Sequence, residues 1–145
     1  TRGNGEEGDD VTHNIRTIPD VPLRLDTKTP PSIFEARGEV YMNRADLIAV
    51  NRKRAEKGEE PYANPRNLAA GSLKLLDPKL CAERKLHFFA YASGAIDGIE
   101  ITSHTELLDT LKEFGFSVNS HTVKCANIEE VVEACNAWAE KRRDL

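Results

Sequence analysis

The sequence has few cysteines and no long apolar run. Its three cysteines are Cys81, Cys125 and Cys135, and no two of them have the short spacing of a metal-binding or redox pair. An odd and sparse set of thiols argues against a disulfide framework or a zinc site, and it favours a reducing compartment, the cytoplasm. No apolar segment approaches the roughly 20 residues that a membrane span requires. We therefore expect no membrane partner.

Strong charge and targeting signals are also missing. The net charge is −4 over 145 residues, of which 30% are charged and 39% hydrophobic. This balance is typical of a globular domain and argues against a strongly basic nucleic-acid platform, although it allows a local basic patch. Residues 1–10, TRGNGEEGDD, contain no apolar segment of a secretory signal. The sequence begins without Met and stops within a helical pattern, so we expect a piece of a longer protein.

Strand and helix patterns follow one another along the chain, which predicts an α+β fold. Residues 32–42, SIFEARGEVYM, alternate with period two, and residues 86–93, LHFFAYAS, are aromatic-rich, so both predict strands. A third strand region is predicted at residues 116–124. Helices are predicted where a capping residue precedes apolar periodicity: near 11–18, from Asn43 to Gly58, from Asn64, near 77–85, from Ser103 to Gly115 and from Asn127.

Several residues in this framework suit the binding of a nucleotide or another anion. Glu39 lies on the polar face of the first strand, which is either a solvated sheet face or a carboxylate for ribose hydroxyls or a metal-bound water. Tyr91 is either a core aromatic or a platform for a base. Arg66 and Lys74 would lie about 80° apart around one helix, as solvated charges or as cations around a phosphate. Gly71 and Ser72 between them would let the backbone come near such a phosphate.

The glycines near the start of the chain spell the pattern GxGxxG, at Gly3, Gly5 and Gly8. We reject a dinucleotide-binding fingerprint here, because that motif must follow a strand and only two residues precede it. Glu6 and Glu7 would also repel a pyrophosphate. We interpret the stretch as a turn-rich loop.

Four stretches, taken in order, resemble one known family: residues 1–25 (TRGNGEEGDDVTHNIRTIPDVPLRL), 35–42 (EARGEVYM), 62–78 (YANPRNLAAGSLKLLDP) and 88–94 (FFAYASG). They closely resemble the adenylation domain of bacterial NAD-dependent DNA ligases, over essentially the whole chain. The segment ANPRNLAAGSL is the most specific part. The resemblance implies a nucleotidyltransferase fold of the ATP-grasp-like kind, with antiparallel sheets and flanking helices.

The resemblance also implies an activity in DNA replication and repair. In this family a lysine attacks the α-phosphate of NAD and nicotinamide mononucleotide (NMN) leaves. The AMP then passes to the 5′-phosphate of a nick in double-stranded DNA, the 3′-hydroxyl seals the strand, and magnesium assists. The implied partners are NAD and nicked DNA, and the implied parent is a cytoplasmic monomer.

Site roles follow from the same resemblance, motif by motif. Arg2 of TRG resembles the arginine near the nucleotide and the side from which NMN leaves. Glu39 of RGEV resembles the acidic residue near the ribose and the metal, and Tyr91 of FFAY resembles the aromatic that stacks on adenine. Arg66 of NPRN resembles the arginine that contacts phosphate and the nick. Lys74 stands where bacterial relatives often carry arginine, so it keeps the charge but loses the bidentate fork.

The nucleophile of that chemistry is not within these 145 residues. The family's Lys-x-Asp-Gly motif would need a lysine two residues before an Asp-Gly pair, but the single such pair, Asp97–Gly98, follows Ala95. We expect the nucleophile upstream of Thr1 and a further lysine motif beyond Leu145. The OB-fold, the zinc finger, the helix-hairpin-helix and the BRCT modules would lie elsewhere in the parent, and zinc only there.

The chain, residues 1–145, is thus expected to be the central portion of an adenylation domain without ligase activity of its own. Alone it would expose strand edges and apolar surface, so we expect low stability. Two other interpretations stay open: a non-catalytic nucleotide- or DNA-binding module of the same fold, and an ATP- or GTP-using nucleotidyltransferase such as an RNA ligase or capping enzyme. The second fits the fold but not the segment ANPRNLAAGSL.

Overall fold

A computed structural model describes the backbone of residues 2–3 and all of residues 7–141. Two short strands, Arg2–Gly3 (β1) and Gly8–Asp9 (β2), pair antiparallel, and so do the long strands Ile33–Tyr41 (β3) and His87–Asp97 (β4). The helices of this part of the chain are Thr12–Ile15 (α1), Arg44–Glu56 (α2), Pro65–Ser72 (α3), Pro78–Ala82 (α4), His104–Glu113 (α5) and Ile128–Lys141 (α6). This mixture confirms the α+β class. None of these helices is long and apolar enough to cross a membrane.

The period-two pattern of β3 separates a covered face from an open one, as predicted. Phe34, Ala36 and Val40 are partly buried against the core, whereas Glu35 and Arg37 are exposed on the other face. In the described part of the chain, α3 packs against β3 and α5 against β4, and Phe88 and Ala90 of β4 face the core. On the polar face Glu35, Arg37 and Tyr91 are exposed, so part of this face is accessible to a ligand.

Capping residues set the helix starts where the sequence predicts them. The Asn43 side chain accepts a hydrogen bond from the Asp46 backbone N–H (2.8 Å), and Gly58 follows the same helix with a φ of +72°. The Asn64 side chain accepts bonds from the two N–H groups that follow Pro65, the first residue of α3. These local signals do not depend on tertiary contacts, which explains why sequence alone locates them.

The core consists of two clusters joined through the ring of Phe88, which packs against both. The larger cluster lies between α2, α3, α4 and the end of β3; its buried members are Ile18, Met42, Val50, Leu68, Ala69, Leu73, Cys81 and Leu86. The smaller one lies between α5 and β4; its buried members are Ala90, Leu107, Leu108 and Leu111. The buried side chains of α3 in the larger cluster hold this helix against β3.

Two predicted elements differ from the structure. The strand predicted over residues 116–124 is wrong apart from Val118, which makes a single parallel bridge to Ala90. Beyond it, the Asn119 side chain accepts from the backbone N–H of His121, an Asx turn that competes with strand pairing. The helix predicted over 11–18 ends at Ile15. The N–H groups of Thr17 and Ile18 bond to carbonyls three residues back, so the chain continues as tight turns, and Pro19 disfavours helical geometry at Ile18.

The last helix, α6, forms at the predicted place but buries nothing. Its apolar face carries Ile128, which is 67% exposed, together with exposed Val131 and Val132. The Trp138 ring meets the His121 ring edge-on at a centroid distance of 5.0 Å. The helix thus leaves an uncovered apolar stripe.

Candidate functional site

The open sheet face brings two of the predicted residues together. Glu39 lies in β3 and Arg66 lies in the first turn of α3, and an ion pair of 3.6 Å joins Arg66 Nη1 to Glu39 Oε1. The Arg66 side chain is 83% exposed. An ion pair so exposed contributes at most about 1 kcal/mol to stability. Both groups are therefore available to a ligand at little cost to the fold.

Aromatic rings lie next to this pair. Phe89 is the cross-strand partner of Glu39, and its ring centroid is 6.4 Å from that of Tyr91, which is exposed. The strand pairing skips Tyr91, because it passes from Arg37↔Ala92 to Gly38↔Ala90. Such β-bulges change the direction in which a side chain projects and are frequent beside active sites. The bulge offers the flat ring of Tyr91 on the same open region as the carboxylate.

Gly38 stands where the two long strands approach each other closely. A Cβ there would collide with the ring of Phe88 and the carbonyl oxygen of Phe89 on the neighbouring strand. The close approach that the glycine permits is thus made by β4 and not by a ligand. It still serves the site, since it holds the strand of Glu39 tightly against the strand of Tyr91.

Lys74 is not on the same helix as Arg66, so the predicted 80° relation is wrong. Helix α3 ends at Ser72 with Leu73 as its C-cap, and Lys74 follows in a turn. Its ammonium lies 2.8 Å from Asp9 Oδ2 in β2. The two cations therefore have different carboxylate partners, Glu39 for one and Asp9 for the other.

The fifth predicted residue, Arg2, has a side chain that lies outside the described residues. Its backbone belongs to β1, where Arg2 pairs with Asp9 across the short hairpin. The hairpin therefore places the Arg2 backbone opposite the residue that holds Lys74.

Two residues of the site region were missed from the sequence. Asp9 is the partner of Lys74, and Asn14 donates from its side chain to the carbonyl groups on either side of Lys74. The signal for Asn14 was present, because it occupies a position of the apolar stripe formed by Val11 and Ile18. A polar residue in such a stripe needs hydrogen-bond partners in the core.

A cavity of about 460 Å³ lies on another side of α3. Its walls include Tyr62, Leu68, Gly71, Leu75 and Arg84, and none of the predicted charged or stacking residues lines it. We assign the site to the open sheet face, because a carboxylate, a guanidinium and aromatic rings converge there.

The donor set suits a nucleotide better than a resident metal. No group of three or more His, Cys, Asp or Glu side chains able to hold a metal occurs among the described residues. Mg²⁺ bound with a nucleotide usually needs only one or two carboxylates, since phosphates and waters complete its octahedron. Glu39 fits that limited role, Arg66 fits a phosphate, and an exposed ring fits a base.

The fold is that of an α+β domain, and the side chains gathered on its open sheet face suit a nucleotide. The family model of the NAD-dependent DNA ligase adenylation domain matches residues 1–145. A DNA ligase of Herpetosiphon aurantiacus is 49% identical over 148 residues, covering 100% of this chain and 22% of that protein. DNA ligases of Halothermothrix orenii and Rubrobacter xylanophilus are each 50% identical, over 100% of this chain and 21% of their own length.

This chain belongs to the NAD-dependent DNA ligase adenylation domain family, and the resemblance inferred from its motifs is confirmed. It spans about one fifth of the length of these relatives.

Proposed function

We propose that this chain is the central portion of the adenylation domain of an NAD-dependent DNA ligase. The parent enzyme transfers the adenylyl group of NAD to the 5′-phosphate of a nick in double-stranded DNA and seals the nick, releasing NMN and AMP. The family match supports the reaction class. The observation that carries the site assignment is the exposed Glu39–Arg66 pair beside the rings of Phe89 and Tyr91.

Each residue of the site has a role that its chemistry can perform. Glu39 accepts hydrogen bonds from ribose hydroxyls or from water on Mg²⁺, and Tyr91 stacks on adenine. Arg66 binds a phosphate with its planar fork, while Lys74 and Arg2 add positive charge near the phosphates. NAD, when bound, supplies the adenylyl group. Positive charge stabilises a transferring phosphoryl group because its transition state carries negative charge on the equatorial oxygens.

The wider setting follows from the same assignment. We propose a cytoplasmic monomer as the parent, with NAD and Mg²⁺ as small-molecule requirements and nicked duplex DNA as the macromolecular substrate. Its expected fold is the nucleotidyltransferase fold, in which further strands would extend the β3–β4 pair.

Replacement of Glu39 tests the site in the full-length ligase. We predict that Glu39→Gln lowers the rate of nick sealing by about 10²-fold, the range for one charge-stabilising group in an active site. The matched control is Glu56→Gln, which removes an exposed carboxylate from a 3.7 Å ion pair with Arg52 on α2. The control should seal at the wild-type rate. Equal rates for both variants would remove Glu39 from the site.

The 145-residue chain by itself should form no covalent adduct with AMP, since the sequence contains no Lys-x-Asp-Gly nucleophile. Incubation with NAD and Mg²⁺ followed by intact-mass spectrometry measures this. The full-length ligase, treated in parallel, should gain one AMP. An AMP adduct on the short chain would refute the assignment of the nucleophile to a segment outside it.

A further inference from the structure

Asn14 is a fully buried polar side chain that contacts a distant part of the chain. Its side chain lies in α1 and is 0% exposed. Its Nδ2 group donates to the carbonyl oxygen of Leu73 at 2.8 Å and to that of Leu75 at 2.7 Å, 59 and 61 residues away. These two carbonyl groups belong to the residues on either side of Lys74.

The two hydrogen bonds hold the turn that directly follows α3. The last carbonyl groups of a helix have no partner within the helix, and a buried carbonyl without a partner is unfavourable. One side-chain amide has two N–H groups and can therefore satisfy two carbonyl groups at once. Asn14 thus satisfies the carbonyl of Leu73, the C-cap residue of α3, and the carbonyl of Leu75, and it fixes the turn that contains Lys74.

The side-chain N–H donors of Asn14, and not its side-chain oxygen, account for the presence of an amide at this buried position. Its Oδ1 atom is buried and has no hydrogen-bond partner among the described residues. An apolar side chain of similar size would avoid that unsatisfied oxygen and would suit the stripe of Val11 and Ile18. The amide is therefore best explained by what its nitrogen holds, the backbone around Lys74.

A second contact involves the side-chain ammonium of Lys74. The ammonium of Lys74 lies 2.8 Å from the carboxylate of Asp9, a residue of β2 that stands shortly before Asn14 in the same N-terminal segment. Both partners of this ion pair are more than half exposed, so the pair adds little stability and leaves the ammonium accessible. Asn14 thus binds the backbone on both sides of Lys74, and Asp9 binds the Lys74 ammonium at the surface.

We propose that Asn14 is a positioning residue that sets the place of the Lys74 ammonium in the site. The inference rests on the proposed function in one respect, the assignment of Lys74 as a cation for phosphate. Without the amide, the turn after α3 loses its two anchors, and the ammonium samples a wider region. Positioning of a charge to well under 1 Å matters for the rate of a transfer step.

Amine reactivity tests the positioning without any reference to activity. Full-length ligase is treated with limiting acetic anhydride, and mass spectrometry gives the acetylation rate of Lys74 relative to Lys79, an exposed lysine of α4. In Asn14→Leu and Asn14→Ser the ratio should rise severalfold, because Lys74 loses its fixed ion pair. The matched control is Asn51→Leu, which removes a comparable double hydrogen bond between a side-chain amide and the backbone of Tyr62.

Nick sealing under single turnover then tests the consequence in a double-mutant cycle. We expect Lys74→Ala and Asn14→Leu each to lower the rate by about tenfold, and the double variant to be no slower than either. Asn51→Leu should seal at the wild-type rate. If the rate losses of the two single variants instead multiply in the double variant, Asn14 supports only the fold and does not act through Lys74. That result would overturn the inference.

The two assays separate the inference from the proposed function. An unchanged acetylation ratio in both Asn14 variants overturns the positioning role, whatever the sealing rate. A raised ratio combined with wild-type sealing by Lys74→Ala supports the positioning role and rejects the phosphate role of Lys74. If Asn14→Leu does not fold, the smaller Asn14→Ser, which lacks the two amide donors, decides both assays.

Discussion

At the scale of single residues, Gly38 of β3 and Gly71 of α3 differ in the space around them. Gly38 leaves no room for a side chain, since the opposite strand occupies the space a Cβ would take. Gly71, in α3, has no atom within 4 Å of such a Cβ. The first is required by packing, and the second is not explained by packing in the described part of the chain.

We predict that Gly38→Ala destabilises the fold by about 1–3 kcal/mol or more, the cost of overpacking where neighbouring backbone cannot yield. Urea unfolding of the same protein with and without the substitution measures the effect. Gly71→Ala is the control, and it should be neutral or stabilising by about 0.5–1 kcal/mol, because alanine favours a helix interior. A Gly38→Ala protein as stable as wild type would contradict the strand packing described here.

A second prediction concerns how the stability of the fold depends on pH. Glu35 accepts a hydrogen bond from Arg37 Nε (2.8 Å) and another from the Ala95 backbone N–H, and together these hold the pKa of its carboxyl below the ordinary value. A depressed pKa in the folded state stabilises the fold at pH values above the ordinary Glu pKa. That contribution is lost as the pH falls through the folded pKa, since the carboxyl is then protonated in both states.

The measurement is the difference in unfolding free energy between wild type and Glu35→Gln, taken at neutral pH and again below pH 4. Wild type should be the more stable protein at neutral pH, and the difference should shrink in acid. Glu56→Gln serves as the control for loss of an exposed carboxylate. A difference for Glu35→Gln that stays constant over this pH range would contradict the assignment.

At the scale of elements, sequence reasoning succeeded where the signal is local and failed where it is not. Asn43, Asn64 and Ser103 were predicted as N-caps, and each side chain accepts a backbone N–H at the start of its helix. The bulge at Tyr91 depends on how two distant strands pair, so no local pattern predicts it. The hydrogen bond from Asn14 to the carbonyl of Leu73 at the end of α3 joins residues 59 positions apart, so no local pattern predicts it.

The two C-terminal helices should differ in local stability, although their amphipathic patterns are similar. Helix α5 buries Leu107, Leu108 and Leu111, whereas no residue of α6 is buried. We predict that backbone amides of α6 exchange with deuterium much faster than those of α5 in the isolated 145-residue chain. Hydrogen exchange followed by mass spectrometry measures both in one experiment. Equal protection would mean that the apolar face of α6 is covered in solution.

At the scale of the whole molecule, the charges and rings of the site converge on a surface that the fold leaves open. The β3–β4 pair has helices on its apolar face, and its polar face carries Glu39 and Tyr91, with Arg66 reaching Glu39 from α3. The sequence predicted these three residues and their neighbourhood through a family resemblance. It could not predict that Lys74 would be paired with Asp9, because that contact links two segments through the tertiary fold.

The small sheet and the exposed apolar surface of the described residues account for the low stability that we expect of the isolated chain. The main sheet of the described residues has two strands, and apolar side chains such as Leu76 and Ile128 are largely exposed. A two-stranded sheet with open edges gains little stability by itself. We expect the rest of the ligase to supply the missing neighbours.

The proposed contact between Arg66 and a phosphate during ligation can be tested by replacing Arg66 in the full-length ligase. The chain offers a matched pair of arginines: Arg66 is 83% exposed in a 3.6 Å ion pair with Glu39, and Arg52 is 84% exposed in a 3.7 Å ion pair with Glu56. Each is replaced by alanine in the full-length ligase, and single-turnover sealing of a nicked duplex is measured. We predict a loss of about 10²–10³-fold for Arg66→Ala and a wild-type rate for Arg52→Ala. Equal rates for the two variants would contradict it.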